Sequence, residues 1–222
     1  MGIDYFRRPT RLVVSKEVEV VEDIYSLYMM DVELLKRAKN LQREAEHVLA
    51  RLGLFERIRK IAEPELVGSA KNGLMVMPDI DIHAWMENVA LARVATLLSE
   101  FASMPTIQKV QFNNYRELRR DDRKDRINFP HAYYVGIRSI ESSGEWNIDM
   151  WFGARGQIGD YDDSELRDTS DEQRLVILRL KESWREGKGY RDGVLSTNFY
   201  MAVMRSGVRS IADFEAYLKT KR

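Results

Sequence analysis

The sequence predicts a mixed β-sheet flanked by helices, an α/β (α+β) core, with a helical region behind it. Up to about residue 156, short segments rich in β-branched and aromatic residues alternate with amphipathic helical patterns. After Gly156 an acidic loop is followed by helical periodicity alone. The 222 residues suffice for one sizeable core. We therefore expect a core region with N-terminal helices over residues 1–156, and a C-terminal helical region over 157–222 packed on it.

Helices are predicted first along the chain. Apolar residues recur every three or four positions from Asp31 to Leu52, which is typical of an amphipathic helix, and Gly53 follows as its stop. A shorter helix is predicted from Leu54 to Ala62, just before Pro64. The valine-rich stretch from Leu12 to Val21 fits either a strand or the front of a longer helix.

The middle of the chain predicts five strands and one helix. The strands are expected at Glu65–Val67, Asp79–Trp85, Ile107–Phe112, Ala132–Ile140 and Glu145–Phe152. A loop is expected between the first two. The helix is expected from Val89 to Phe101, ahead of Pro105. The turn residues Ser142-Ser143-Gly144 predict a hairpin between the last two strands.

Three helices are predicted in the C-terminal region, at Asp171–Arg185, Arg191–Met204 and Ile211–Lys219. Two of them begin at a capping pattern. Ser170 stands three residues before Gln173, and Ser210 stands three residues before Asp213, so each hydroxyl can bond the first turn while the later side chain reaches back.

Composition excludes several classes of protein. Thirty-five basic residues balance 35 acidic ones, which argues against a globally basic nucleic-acid coat or a polybasic membrane anchor. The sequence has no cysteine, which removes zinc ribbons, thiol catalysis and disulfides. Residues 1–9 lack the apolar stretch of a signal peptide, and no segment approaches the ~20 apolar residues of a membrane helix. We expect a cytoplasmic protein with no membrane partner.

Three acidic residues on two predicted strands form the candidate site. Asp79 and Asp81 lie two apart, so both project from one face of their strand, while Ile80 points into the core. Two adjacent carboxylates repel each other unless a cation lies between them, which indicates Mg²⁺. Asp149 belongs to a later strand and projects from the face opposite its apolar residues. It is expected to face the pair as a third oxygen ligand.

A glycine turn precedes the acidic pair. Gly68 allows close approach of the backbone, and Ser69 with the following amides is suited to hold a terminal phosphate. Lys71 follows directly and fits either a phosphate contact or a solvent-exposed position. His83 falls on the same strand face as the aspartates, where it fits either a phosphate contact or a packing role.

These residues bring the sequence close to a known family. The motif resembles that of the nucleotidyltransferase superfamily of the DNA polymerase β type. It consists of Gly68-Ser69, nine intervening residues and Asp79-Ile80-Asp81, with Asp149 further on. Within this superfamily, the sequence is most similar to the GrpB-type branch at Gly73-Leu74 and Pro78. It departs from that branch at Asp79, where GrpB-type sequences often have an apolar residue. The resemblance covers about residues 65–152.

The resemblance implies a nucleotidyltransferase that depends on Mg²⁺ or Mn²⁺. The implied catalytic and metal-binding residues are Asp79, Asp81 and Asp149, and the nucleotide-binding candidates are Gly68, Ser69 and Lys71. The reaction would transfer a nucleoside monophosphate from a nucleoside triphosphate to a hydroxyl acceptor: a small molecule, a protein or an RNA. The alternative is a catalytically inactive nucleotide-binding or interaction protein on the same fold. The oligomeric state is not specified by the sequence.

Overall fold

The structure, a computed structural model, describes residues 16–116, 130–158, 164–187 and 194–221. Contacts divide the chain into two units, residues 1–33 and residues 34–222. The described part of the first unit is helical and belongs to α1 (Lys16–Arg51). The second unit contains the sheet and the remaining helices. The expected boundary near residue 156 stays a prediction.

A five-stranded mixed sheet forms the centre of the second unit. Its strands are β1 (Glu63–Val67), β2 (Asp79–Trp85), β3 (Ile107–Asn114), β4 (Tyr133–Glu141) and β5 (Gly144–Gly153). Their order across the sheet is β1-β2-β5-β4-β3. The central pair β2–β5 is parallel, and the other pairs are antiparallel. The prediction of a mixed sheet flanked by helices is confirmed.

Seven further helices lie in the described ranges. They are α2 (Leu54–Arg59), α3 (Gly68–Asn72), α4 (Leu91–Ala102), α5 (Ser164–Arg167), α6 (Asp171–Gly187), α7 (Ser196–Ser206) and α8 (Ile211–Thr220). The short helix α3 stands where a loop was predicted. The valine-rich stretch near the N-terminus is helical from residue 16 onward, and its earlier part lies outside the described residues. Helix α7 begins at Ser196 rather than at residue 191, and residues 191–193 also lie outside the described ranges.

The predicted caps of the C-terminal helices are present. Ser170 and Gln173 exchange hydrogen bonds at the start of α6, since the Ser170 Oγ accepts from the Gln173 backbone amide and the Ser170 amide donates to the glutamine side chain. At α8 the Ser210 Oγ accepts from the Asp213 backbone amide at 3.2 Å. Both satisfy amides that a helix start leaves without partners.

The two larger of three hydrophobic clusters in the described ranges contribute most of the core of the second unit. The first lies between one face of the sheet and helices α1, α2 and α4, and it includes Ile80, Ile148 and Phe101, all 0% exposed. The second joins α6, α7 and α8 to residues just after α3, with Phe199 and Phe214 stacked at 4.3 Å between ring centroids. Because alternate strand residues fill the first cluster, the polar residues of β2 and β5 lie on the opposite face of the sheet.

Within the described ranges, no helix is both long enough and apolar enough to cross a membrane.

Candidate active site

The parallel pairing of β2 and β5 brings the three predicted carboxylates to one place. In the register of the two strands, Asp81 lies directly beside Asp149, and Asp79 lies beside Asn147. Ile80 and Ile82 on β2 are both 0% exposed on the other face. The alternation along each strand therefore places the acidic side chains together on the open face, as predicted from the sequence.

Gly68 fits the turn only because it has no side chain. Its φ is +70°, in the left-handed region, and a Cβ added there would lie 2.6 Å from Oδ2 of Asp81. Any other residue would need both a strained backbone and displacement of the carboxylate. Ser69, the next residue, is buried in the first turn of α3. The glycine turn and the acidic pair are thus in direct contact.

Side chains from distant helices hold α3 in place. Gln42 on α1 donates through Nε2 to the carbonyl oxygens of Ala70 at 3.1 Å and Lys71 at 3.3 Å. Arg174 on α6 donates through Nη1 to the carbonyl oxygen of Asn72 at 2.8 Å. These bonds satisfy carbonyl groups at the end of a helix too short to bond them internally.

Lys181 on α6 brings a buried positive charge to the site. It is 1% exposed, and its Nζ donates to the carbonyl oxygen of Leu74 at 2.5 Å. The same ammonium lies 5.5 Å from the ring centroid of Tyr200. Burial lowers the pKa of Lys181 to about 8, and the nearby Asp79 and Asp81 oppose that shift.

Burial is the main influence on the ionisation of the three carboxylates. Burial, then the charge of Asp149, raises the pKa of Asp79 to about 6, although Lys181 acts in the opposite direction. Burial, then Asp79 and Asp149, raises the pKa of Asp81 well above its ordinary value. Burial also raises the pKa of Asp149, against a hydrogen bond from Tyr134. A cation at this place would favour the ionised carboxylates and so oppose these shifts in pKa.

A cavity of about 350 Å³ opens over these groups, between the sheet and the C-terminal helices. Its lining includes the following residues: Gly68, Ser69, Asp79, Asp81, His83, Asp149, Trp151, Lys181, Ser196 and Thr197. This volume lies within the range of small-molecule pockets. A second, smaller cavity of about 110 Å³ reaches Asp149 from the side of β3 and β4, and its lining includes Tyr134.

The donor set fits a hard divalent cation, because carboxylate oxygens are the ligands that Mg²⁺ and Mn²⁺ prefer. As the side chains stand, however, no group of three or more histidine or acidic residues in the described ranges is gathered closely enough to hold a metal ion. The structure therefore places suitable ligand types in one cavity, but their side chains are not arranged as a complete metal site.

The predicted site residues separate into two groups. Gly68, Ser69 and the three aspartates line the main cavity, and His83 lies among them. Lys71 is not part of that lining, and its Nζ pairs with Oε1 of Glu65 at 3.3 Å.

Lys181 is the cation that sequence reasoning missed. Its signal was available, because it lies on the apolar face of α6 at helical spacing from Ile177 and Trp184, where a charge is unusual.

The fold is a five-stranded mixed sheet with helices on its flanks. No protein-family model and no curated protein matches the sequence. Among solved structures, a cytoplasmic RNA terminal U-transferase is 19% identical over 79% of this chain and 51% of its own, with a TM-score of 0.51. The Cid1 poly(U) polymerase is 17% identical over 80% of this chain and 54% of its own, with a TM-score of 0.54.

This likeness establishes the fold alone. The chain spans about half the length of the two solved chains. Its nucleotidyltransferase-like architecture agrees with the resemblance found in the sequence, whereas the GrpB-type branch stays a prediction.

Proposed function

We propose that this chain is a nucleotidyltransferase that requires Mg²⁺ or Mn²⁺ and transfers a nucleoside monophosphate from a nucleoside triphosphate to an acceptor hydroxyl. The observation that carries the proposal is the composition of one cavity. Asp81 and Asp149 lie side by side on paired strands, and the Gly68 turn touches Asp81. Lys181 lines the same cavity. This combination supplies ligands for a cation and donors for a triphosphate.

Each group has a role in the proposed reaction. Asp79, Asp81 and Asp149 are the residues that would hold the divalent cations. When bound, such cations neutralise phosphate oxygens and lower the pKa of an attacking hydroxyl. The acceptor oxygen forms a bond to the α-phosphorus, the bond to the β-phosphate oxygen breaks, and pyrophosphate leaves. Asp149 orients the acceptor hydroxyl or accepts its proton.

The triphosphate would lie between the turn and α6. Ser69 and the amides that follow it donate to the terminal phosphate. Lys181, which lines the same cavity, brings a positive charge near the aspartates and would face the phosphates of a bound nucleotide. Lys71 would have to leave Glu65 to join them, so its role in phosphate binding stays a prediction.

Two solved neighbours guide the choice of substrates. One is an RNA terminal U-transferase, and the other is a poly(U) polymerase selective for UTP. We therefore take UTP as the first donor and the 3′ hydroxyl of an RNA as the first acceptor to be tried. Small alcohols and protein hydroxyls are the other acceptor classes.

A second candidate is a nucleotide-binding protein without catalysis. The observation in its favour is that the three carboxylates, as they stand, are not gathered into a metal site. Such a protein would bind a triphosphate through Ser69 and Lys181 without needing a cation.

Thermal unfolding separates the two candidates. The chain is melted with each of the four nucleoside triphosphates, with Mg²⁺, with Mn²⁺ and with EDTA. If the chain is the proposed enzyme, its melting temperature should rise only when triphosphate and cation are both present, because a ligand that binds only the folded state stabilises it. The Asp81→Asn variant should lose this rise, whereas Asp168→Asn, at an exposed position after α5, should keep it.

Release of pyrophosphate then tests catalysis. A short oligoribonucleotide is the acceptor, and extension by one or more nucleotides is followed on a gel. Stabilisation by nucleotide in EDTA, without pyrophosphate release, would favour the binding protein. No stabilisation by any triphosphate would refute both candidates.

A further inference from the structure

A tyrosine on β4 holds the third carboxylate. The hydroxyl of Tyr134 donates to Oδ1 of Asp149 at 2.7 Å. The two residues are not cross-strand neighbours, because Tyr134 pairs with Trp151 and Asp149 pairs with Gly136. The tyrosine side chain must therefore lean along its own strand, across Gly136, to reach the carboxylate.

Gly136 makes this path possible. It lies in the interior of β4. Glycine weakens a strand at such a position, and it often marks a place where another group approaches the backbone closely. A Cβ on Gly136 would lie 2.5 Å from the hydroxyl oxygen of Tyr134 and 3.0 Å from Cζ of its ring. Every other amino acid would therefore displace the hydroxyl from its present place. The glycine and the hydrogen bond depend on each other.

Two further aromatic residues fix the ring. The centroid of the Tyr134 ring lies 5.0 Å from that of Trp151 and 6.5 Å from that of Tyr115. Tyr115 and Trp151 stack on each other at 5.6 Å. A carboxylate turns easily about its last bond, so a hydroxyl held by a packed ring is an effective restraint on Asp149.

We propose that Tyr134 is the positioning residue of Asp149 and, through it, of the acceptor side of the site. The inference rests on the proposed function. With Oδ1 engaged by the tyrosine, the other oxygen of Asp149 remains for a cation or for the acceptor hydroxyl. Tyr134 lines the smaller cavity, and Asp149 lines both the smaller and the main cavity, so the tyrosine bonds Asp149 outside the main cavity.

The test compares two tyrosine variants that each lose a single oxygen atom. Tyr134→Phe removes the bond to Asp149. Tyr115→Phe is the matched control, since its hydroxyl belongs to the same aromatic group but accepts from Asn113 Nδ2 at 3.1 Å. We expect Tyr134→Phe to lower kcat about tenfold, the effect of one hydrogen bond to a charged group, while KM for the triphosphate changes less than about twofold. Tyr115→Phe should leave kcat unchanged.

A binding measurement makes the test independent of turnover. Mn²⁺ is titrated into each protein in the presence of a non-hydrolysable triphosphate, and bound metal is counted by electron paramagnetic resonance. Two Mn²⁺ sites are expected, one at the acceptor side and one at the triphosphate. In Tyr134→Phe one of them should lose about tenfold in affinity, and the other should be unchanged. A purely structural tyrosine would affect both sites or neither.

Gly136→Ala provides a second route to the same result. The added methyl group should displace the hydroxyl and reproduce the loss in kcat. In the Tyr134→Phe background the same change should cost less, because the closest contact has been removed.

The outcomes separate the two proposals. If wild-type protein binds no Mn²⁺ with the triphosphate, the proposed function fails. If it binds both ions and Tyr134→Phe matches Tyr115→Phe in kcat and in affinity, only the role of Tyr134 is overturned.

Discussion

Replacing Asp79 by asparagine should stabilise the metal-free protein at neutral pH. The environment raises the pKa of Asp79 from 3.8 to about 6, first through burial and then through Asp149. Between these two pH values the folded protein keeps a proton that the unfolded chain has lost. Stability therefore falls as pH rises from about 4 to about 6, and the full cost is present at pH 7.

The size of the effect follows from the shift. A difference of about two pKa units corresponds to about 3 kcal/mol, and water in the cavity reduces this value because Asp79 is only partly buried. Lys181 remains protonated in the folded and the unfolded protein between pH 4 and pH 6, so it does not change how stability depends on pH there. Asp79→Asn should thus match the wild type near pH 4 and exceed it by up to about 3 kcal/mol at pH 7.

Urea unfolding in EDTA, followed by tryptophan fluorescence from pH 4 to pH 7, measures this difference. The exposed Asp168 supplies the control, since Asp168→Asn removes a carboxylate that lies in water in the folded protein. Added Mg²⁺ should raise the wild-type stability at pH 7 and not that of Asp79→Asn. If wild type and Asp79→Asn differ by the same amount at every pH, the raised pKa assigned to Asp79 is wrong.

Two further predictions concern the turn and the helical region. Gly68→Ala should lower the free energy of unfolding by about 1–3 kcal/mol and abolish stabilisation by triphosphate and cation. The reason is that alanine would have to adopt a φ of +70° and place its Cβ 2.6 Å from Oδ2 of Asp81. Thermal melts with and without ligand measure both effects. Phe214→Ala should cost about 3–5 kcal/mol in urea unfolding, because its fully buried ring contacts Phe199 and Trp184; a loss below about 1 kcal/mol would contradict the packing.

The sheet and its carboxylates were predictable because they depend on local alternation. A strand that buries Ile80 and Ile82 must present Asp79 and Asp81 on its other face, and the same rule places Asp149. These are short-range consequences of a period of two. That these two strands are neighbours was an expectation from the need for a third ligand. Their parallel pairing was not predicted and comes from the structure alone.

Other parts depend on contacts that sequence spacing does not reveal. Lys181 meets Leu74, 107 residues earlier, through the packing of α6 against the segment after α3. The bond from Tyr134 to Asp149 runs diagonally across Gly136 rather than between paired positions. Helix α3, at five residues, is too short to show helical periodicity.

Consecutive side chains after α3 enter different hydrophobic clusters. Leu74 and Val76 belong to the cluster of the C-terminal helices, whereas Met75 belongs to the cluster beneath the sheet. One stretch of backbone thus links the two clusters directly upstream of β2. Shortening the chain to remove α6, α7 and α8 would remove most of the cluster that contains Leu74 and loosen the strand start that carries Asp79. The helical region is therefore an integral wall of the cavity over the three aspartates, and a minimal version of this protein must retain it.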